Sequence, residues 1–507
     1  MQSSFSLIRL TPGKKAFLAS TLLLTGTGFL CRILGFFYRI FLSRTIGAQG
    51  LGVYNMIHPV FGICFSLCAG SIQTALSQYT AANMKKGKSA FYGGLAVSLS
   101  LSCLFTFLIC RFKDFIAAGL LLEPRCAPYL PVIALSVPFA ALHACINGYY
   151  YGMQKSRIPA FSQVAEQVIR MSAVWLIVGM LHRQGRDVTV SLAVCGHLIG
   201  EGASALFCLL CLVFFPPQKK EAGSSFLPAE AIQSLSSLMA LALPLMGSRL
   251  VLNLLGSAEA VWIPNRLAAS GLTSEEAYSV YGVLTGMSLP FIYFPSAITN
   301  SVAVLLLPAV ARACSEGDEG RISRLISMCL RYSCYMGILC IGVFSMFGLP
   351  LGLSVFKSSQ AGQFMICLSW LCPFMYLAAT LGSVLNGLGK TSVTFVLNVI
   401  SMVIRLGFVL LAIPAFGIQG YLWGLLASEI ALAFLDLIFL GRFACFEWNA
   451  FEMILKPVFL LGLSVGIYYL MSPALEVTRS LPLFWETGLR IGVVCMCYGG
   501  LLAMGRR

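Results

Sequence analysis

Residues 25–43 read TGTGFLCRILGFFYRIFLS and lie inside an apolar run long enough to cross a bilayer. Thr25, Gly28, Arg32, Gly35, Arg39 and Ser43 recur every three or four residues, so the spacing predicts a helix with one polar, small-residue face. Leu30, Ile33, Leu34, Phe36, Phe37, Ile40 and Phe41 cover the rest. Arg32 and Arg39 stand two turns apart, roughly 10 Å along the axis. An arginine near mid-membrane costs about 2.5–3.5 kcal/mol on insertion scales. Two on one stripe demand a polar cavity or an anionic partner. The alternative is that Arg39 snorkels to the interface and only Arg32 is buried.

The surrounding chain fits this reading. Its 507 residues are 58% hydrophobic and 10% charged, with mean hydropathy +0.86, whereas soluble proteins carry about 25% charged residues. The class is an all-α polytopic membrane protein, because the apolar runs are long and punctuated by Gly and Pro, unlike the short alternating strands of a barrel. The start, MQSSFSLIRLTPGKK, is polar and basic and leads into a full span, so no cleavable signal is expected. The net charge of +15 would suggest nucleic acid in a soluble chain. Here it predicts basic loops on an anionic leaflet, with membrane lipids and no nucleic acid as partners. The 19 cysteines are scattered through apolar segments. Cys208 and Cys211 form a CxxC without a second pair or a nearby ligand set, and read as small buried groups.

About fourteen helices are expected, near 16–44, 51–82, 90–111, 127–150, 159–181, 189–215, 237–262, 277–310, 325–347, 361–386, 392–413, 418–441, 454–471 and 484–504. With the N-terminus inside, alternate loops carry 18 Lys and Arg on the inner side and 9 on the outer. That bias predicts both termini in the cytoplasm and a cytoplasmic-membrane location. The other seven basic residues, Arg32, Arg39, Arg170, Arg249, Arg331, Arg405 and Arg490, lie within spans, and all are arginine. Arginine keeps its charge when buried and grips phosphate with two parallel bonds. Arg331 and Arg490 lie near helix ends, where snorkelling is expected.

A duplication organises the chain. Pro138-Phe139, Gly152, Lys155, Ser156 and Arg170 recur 235 residues later as Pro373-Phe374, Gly387, Lys390, Thr391 and Arg405. A weaker echo at about 227 residues pairs the helix at Tyr54 with the helix at Tyr281. The copies run the same way across the membrane, which predicts two parallel six-helix lobes around a central cavity. The expected division is a lobe over 1–217, a cytoplasmic linker over 218–236, a second lobe over 237–443, and two additional helices in 444–507. Such halves rock around a fixed site, with Pro131, Pro138, Pro244, Pro290, Pro295 and Pro373 as bending points.

In-span carboxylates are few: Glu166, Glu201, Glu259, Glu429 and Asp436. Glu166 lies four residues before Arg170, a spacing that pairs them on one face. It is read either as a neutralised structural partner or as an ion-coupling group for H+ or Na+. Glu429 and Asp436, seven apart on one face, are further coupling candidates. Asn147, Asn253, Asn386 and Asn398 either line a polar path or bond helices together. There is no phosphate-gripping GxxxxGK[ST] loop, no HExxH, and no ligand spacing among four histidines, so neither enzyme nor cofactor or metal is expected.

The stretch CRILGFFYRIFLSRTIGAQGLGVYNMIHPVFGICFSLCAGSIQTALSQYTA and the turn NGYYYGMQKSRIPAFSQVAEQVIR resemble the stage V sporulation protein B family. This is a branch of the multidrug/oligosaccharidyl-lipid/polysaccharide exporter superfamily, which includes lipid II flippases. The resemblance implies flipping of an undecaprenyl-pyrophosphate-linked sugar across the membrane through a cationic cavity, for cell-wall or spore-cortex peptidoglycan. Arg32 and Arg39 resemble the paired first-helix arginines of those flippases. Their second-helix arginine has no counterpart in Gly62–Gly70, and Arg249 is the candidate replacement. Arg170 and Arg405 complete the candidate substrate-binding set. The rival expectations are an organic-cation antiporter of the same fold, which needs an acidic cavity, and a non-transporting scaffold of cell-wall synthesis.

Overall fold

Lipid offers no partner for backbone N–H and C=O groups, so a chain this apolar satisfies them within helices. The structure, a computed structural model, describes residues 12–504 apart from 85, 217–227, 445, 447–448, 472 and 474–479, and these residues form helices and no strand. Residues 218–227 of the expected linker, and Arg9, Lys85, Lys219, Lys220, Arg479, Arg506 and Arg507, lie outside the described residues. The main helices are α1 (Pro12–Phe65), α2 (Ser71–Ala82), α3 (Gly87–Arg111), α4 (Leu130–Gly152), α5 (Arg157–Arg183), α6 (Val190–Phe214), α7 (Pro228–Ala269) and α8 (Ser274–Gly282). Then follow α9 (Ser296–Glu316), α10 (Glu319–Phe356), α11 (Ser359–Leu368), α12 (Cys372–Gly387), α13 (Thr391–Leu411), α14 (Ile418–Phe443), α15 (Lys456–Met471) and α16 (Leu483–Met504).

Among the described residues, 12 segments are long and apolar enough to cross a membrane. About fourteen were expected. The first segment, Leu23–Ala82, runs 60 residues without a loop, roughly three times the 20 residues that one crossing needs. Within α1 it is interrupted at Gly47, whose φ of 70° is a conformation that a side chain disfavours. The stretch from Ser274 to Glu316, divided into shorter helices, is not among the twelve.

One of the expected bending points turns out to be a helix start: Pro131 sits in the first turn of α4, where the missing N–H had no helical partner to lose. Pro138 lies inside α4.

The chain divides into two compact units. The first runs to Gly35 and takes in Val60–Gly119 and Cys126–Leu250. Its core joins Ile72, Leu76 and Tyr79 of α2, Phe91 of α3, Ile146 and Tyr150 of α4, Cys208 of α6, and Leu238 and Met246 of α7. A methyl group on Gly148 would lie 2.6 Å from the Gln73 carbonyl oxygen, so glycine lets α4 press its backbone onto α2. Cys208 is a buried free thiol that donates to Ser162 Oγ at 3.2 Å, in keeping with its reading as a small buried group.

The second unit takes in Phe36–Pro59, Leu120–Arg125 and the chain from Val251 onward. Val310, Ile326, Leu330, Leu381, Leu385, Leu432 and Leu440 form its core. Here too glycine sets a helix crossing. A Cβ on Gly282 would lie 1.9 Å from the Ala48 carbonyl oxygen, and one on Gly52 would lie 2.2 Å from that of Tyr278.

Candidate functional site

The predicted cations fall into two groups according to what they touch. Arg32 and Arg39 have exposed side chains. Arg39 Nη1 donates to the Thr285 carbonyl oxygen at 3.4 Å. Thr285 lies in a π-helical turn, Val283–Ser288, and its hydroxyl accepts from Asn55 Nδ2 at 3.0 Å. Such turns loosen the regular ladder and recur at functional positions.

Arg249 comes from α7 and lies beside a second π-helical turn, Ser66–Gly70. Its Nη2 donates to Thr74 Oγ1 at 2.9 Å, and that hydroxyl in turn donates to the Gly70 carbonyl at 3.1 Å. A methyl on Gly70 would lie 2.8 Å from Arg249 Nη1, so the bare glycine makes room for the guanidinium. Arg249 therefore lies against the stretch Gly62–Gly70, where the sequence lacks an arginine. It lines a cavity of about 640 Å3 together with Ser66, Gln73, Thr74, Ser77, Gln78 and the aromatic side chains of Phe65 and Tyr151. No carboxylate is among the residues lining that cavity.

The other in-span arginines hold carboxylates. Arg170 Nη2 bonds Glu166 Oε1, the predicted i, i+4 pair, and lies 3.9 Å from Glu201 Oε1. Glu201 also meets His143 Nε2 at 2.7 Å and His197 Nε2 at 3.7 Å. The ligand-type atoms of His143, Glu166 and Glu201 lie within 4.8 Å of one another, close enough to share a cation. Arg405 Nη2 bonds Glu259 Oε2 at 2.8 Å, and Tyr421 donates its hydroxyl to Glu259 Oε1 at 2.6 Å. Asp436 is 2% exposed, and its Oδ1 has no hydrogen-bond partner. Glu429 lies close enough to both Arg405 and Asp436 to act on their charge. Arg331 and Arg490 hold Glu452 at 2.9 Å and Glu486 at 2.7 Å.

Sequence reasoning placed Glu166 beside Arg170 but gave His143, His197, Glu201 and Glu259 no role. One signal was present for Glu201: it and Asp436 are separated by the same 235 residues as Arg170 and Arg405.

Solved structures with this fold define the class. The chain superposes on "Lipid II flippase MurJ, inward closed conformation" with a TM-score of 0.69 at 14% identity, covering 95% of this chain and 98% of that one. An outward-facing multidrug resistance MATE family transporter of the MOP superfamily aligns with a TM-score of 0.61 at 15% identity, covering 87% and 98%. The chain therefore shares the polytopic helical fold of these two proteins. The family described as "Polysaccharide biosynthesis protein" matches residues 17–313, more than half of the chain, and the protein belongs to that family. It is 28% identical to stage V sporulation protein B of Bacillus subtilis (strain 168) over 80% of each chain. Sporulation protein YkvU of the same organism is 22% identical over 77% of this chain and 86% of that one.

Proposed function

We propose that this protein is a flippase for an undecaprenyl-pyrophosphate-linked sugar, a lipid II-like or polysaccharide precursor, for cell-wall or spore-cortex peptidoglycan synthesis. The observation that carries the reading is the Arg249 cavity, of about 640 Å3 with amide and hydroxyl side chains and no lining carboxylate. A guanidinium binds phosphate oxygens bidentately, and amide and hydroxyl groups suit a sugar that offers many hydroxyls. Arg32, Arg39 and Arg249 are assigned to the pyrophosphate. Arg170 and Arg405, each already holding a carboxylate, are assigned to the switching of carboxylate partners rather than to first contact with substrate.

The proposed cycle is alternating access by two six-helix lobes, residues 1–217 and 237–443, with 218–236 as a cytoplasmic linker and 444–507 as two added helices. Fourteen crossings follow if Leu23–Ala82 is counted as two and Ser274–Glu316 as one. Both termini are then cytoplasmic, in the cytoplasmic membrane. H+ or Na+ is the coupling ion, with Glu166, Glu429 and Asp436 as candidates. An organic-cation antiporter is disfavoured because a cation would meet Arg249 in a cavity lined by no acid.

The test is reconstitution in vesicles with a labelled pyrophosphate lipid, scoring its accessibility from each side. Wild-type protein should equilibrate the label, and Arg32→Ala or Arg39→Ala should abolish this while the protein persists in the membrane. Full activity in both variants would refute the assignment of Arg32 and Arg39, and no equilibration by the wild-type protein would favour a scaffold and end the flippase reading.

A further inference from the structure

Glu201 of α6 is 6% exposed and faces an imidazole with each oxygen: His143 of α4 at 2.7 Å and His197 of its own helix at 3.7 Å. Among the described residues, the ion pairs of this group add Glu166 and Arg170 of α5. From α1, Cys31 lies near enough to Glu166 to feel its charge, and the Phe61 ring packs edge-on to His197 with centroids 4.5 Å apart. A methyl on Gly200 would lie 2.6 Å from Arg170 Nε, so α6 holds the guanidinium close by having no side chain there.

The charges do not balance. One arginine serves two carboxylates, so with both imidazoles neutral the group carries one net negative charge. Side-chain exposure across these five residues is only 8–16%, and an uncompensated charge held that far from water is strongly disfavoured. Binding a single proton brings the group to neutrality.

We propose that His143, His197 and Glu201, with Glu166 and Arg170, form a site that binds and releases one proton. The proton is held between Glu201 and an imidazole, and Arg170 turns from Glu166 toward Glu201 when it leaves. The move is short, since Arg170 Nη2 already stands 3.9 Å from Glu201 Oε1. A divalent metal suits the spacing of His143, Glu166 and Glu201 less well, because Arg170 puts a fixed positive charge among those ligands.

The duplication supports a specialised role. Shifted by 235 residues, Arg170 and Glu201 become Arg405 and Asp436, so the second copy keeps the arginine and an acid. His143, Glu166 and His197 become Ala378, Ser401 and Leu432. The chain has four histidines in all, and two of them sit on this one carboxylate. What the proton drives rests on the flippase reading; that the site binds it does not.

The experiment uses the full chain in lipid nanodiscs without any lipid-linked sugar. Proton uptake is measured with an indicator dye from roughly pH 8 to pH 5, the range in which imidazoles titrate. The four imidazoles are followed in parallel by NMR on histidine-labelled protein, assigned with His→Gln variants. Wild-type protein should take up about one proton more than Glu201→Gln, and the resonances of His143 or His197 should move with that step. Equal uptake by the two proteins, or titration confined to His58 and His182, would overturn the proposal. So would stoichiometric binding of added Zn2+ that broadens His143 and abolishes the uptake, which would make the site a metal centre. If Glu201→Gln does not fold, the wild-type resonances decide alone. Because no sugar lipid is present, failure here leaves the flippase reading standing, and failure of the vesicle assay leaves this site standing.

Discussion

Replacing Arg249 by alanine is the most direct probe of the cavity. The guanidinium makes a 2.9 Å bond to Thr74 Oγ1, and Thr74 keeps its own bond to the Gly70 carbonyl at 3.1 Å when the arginine is gone. The Thr74 hydroxyl is therefore not stranded, and folding should survive the truncation. Binding should not. A hydrogen bond to a charged group contributes about 1.5–3 kcal/mol, so losing one or two guanidinium–phosphate bonds costs about 2–4 kcal/mol. That corresponds to a roughly 30- to 1,000-fold weaker Kd for a polyprenyl pyrophosphate. Arg249→Lys keeps the charge but not the planar fork, and should fall between, near tenfold. Affinity is measured by titrating the lipid into purified protein in detergent, with thermal unfolding recorded on the same samples. A loss below about threefold in Arg249→Ala, with unfolding unchanged, would refute the assignment of this cavity to the phosphate end of the substrate.

Three further outcomes follow from the packing and the ion pairs. Glu259→Ala leaves Arg405 buried without its 2.8 Å partner and should destabilise the protein by about 3–5 kcal/mol; adding Arg405→Met should recover most of this in thermal unfolding, closing a double-mutant cycle. Gly282→Ala forces a Cβ to within 1.9 Å of the Ala48 carbonyl oxygen and should sharply reduce the yield of monodisperse protein on size exclusion, whereas Gly179→Ala, with nothing within 4 Å, should behave as wild type. In the segment between α3 and α4, burial raises the Glu123 carboxyl, but hydrogen bonds and charge from Arg125 outweigh it and leave the group below the usual carboxylate range. The sign follows: the pair stabilises the fold above the unfolded value of about 4.3 and ceases to as the pH falls through the folded value. The melting difference between wild type and Glu123→Gln should be constant from neutral pH to about pH 5 and vanish in stronger acid.

The helices were legible because a membrane interior leaves an apolar chain little choice. The Glu166–Arg170 pair was legible because it lies on one helix face. What sequence could not show was contact across distance in the chain. Arg249 and Thr74 are 175 residues apart, and His143 and Glu201 are 58 apart. No periodicity within one helix reports on such a meeting. Pro131 misled for a local reason, since a proline in the first turn of a helix and one at its centre look alike until the helix start is known.

Burial of an arginine in a span does not by itself distinguish a structural group from a binding group; the partner does. Arg170, Arg331, Arg405 and Arg490 each hold a carboxylate within 4.0 Å. A substrate phosphate reaching one of them must displace an anion that is tethered to the same fold. At Arg249 one partner is a threonine hydroxyl and no acid is among the residues lining the cavity beside it, so under the proposed function a phosphate arriving there would replace a neutral oxygen in that bond by a charged one. The carboxylate-held arginines become available only when their acids are neutralised, and protonation does this. A proton taken up at Glu201 and a phosphate taken up at Arg249 are thus the two events that this arrangement of charges permits, and both occur on helices of the first compact unit.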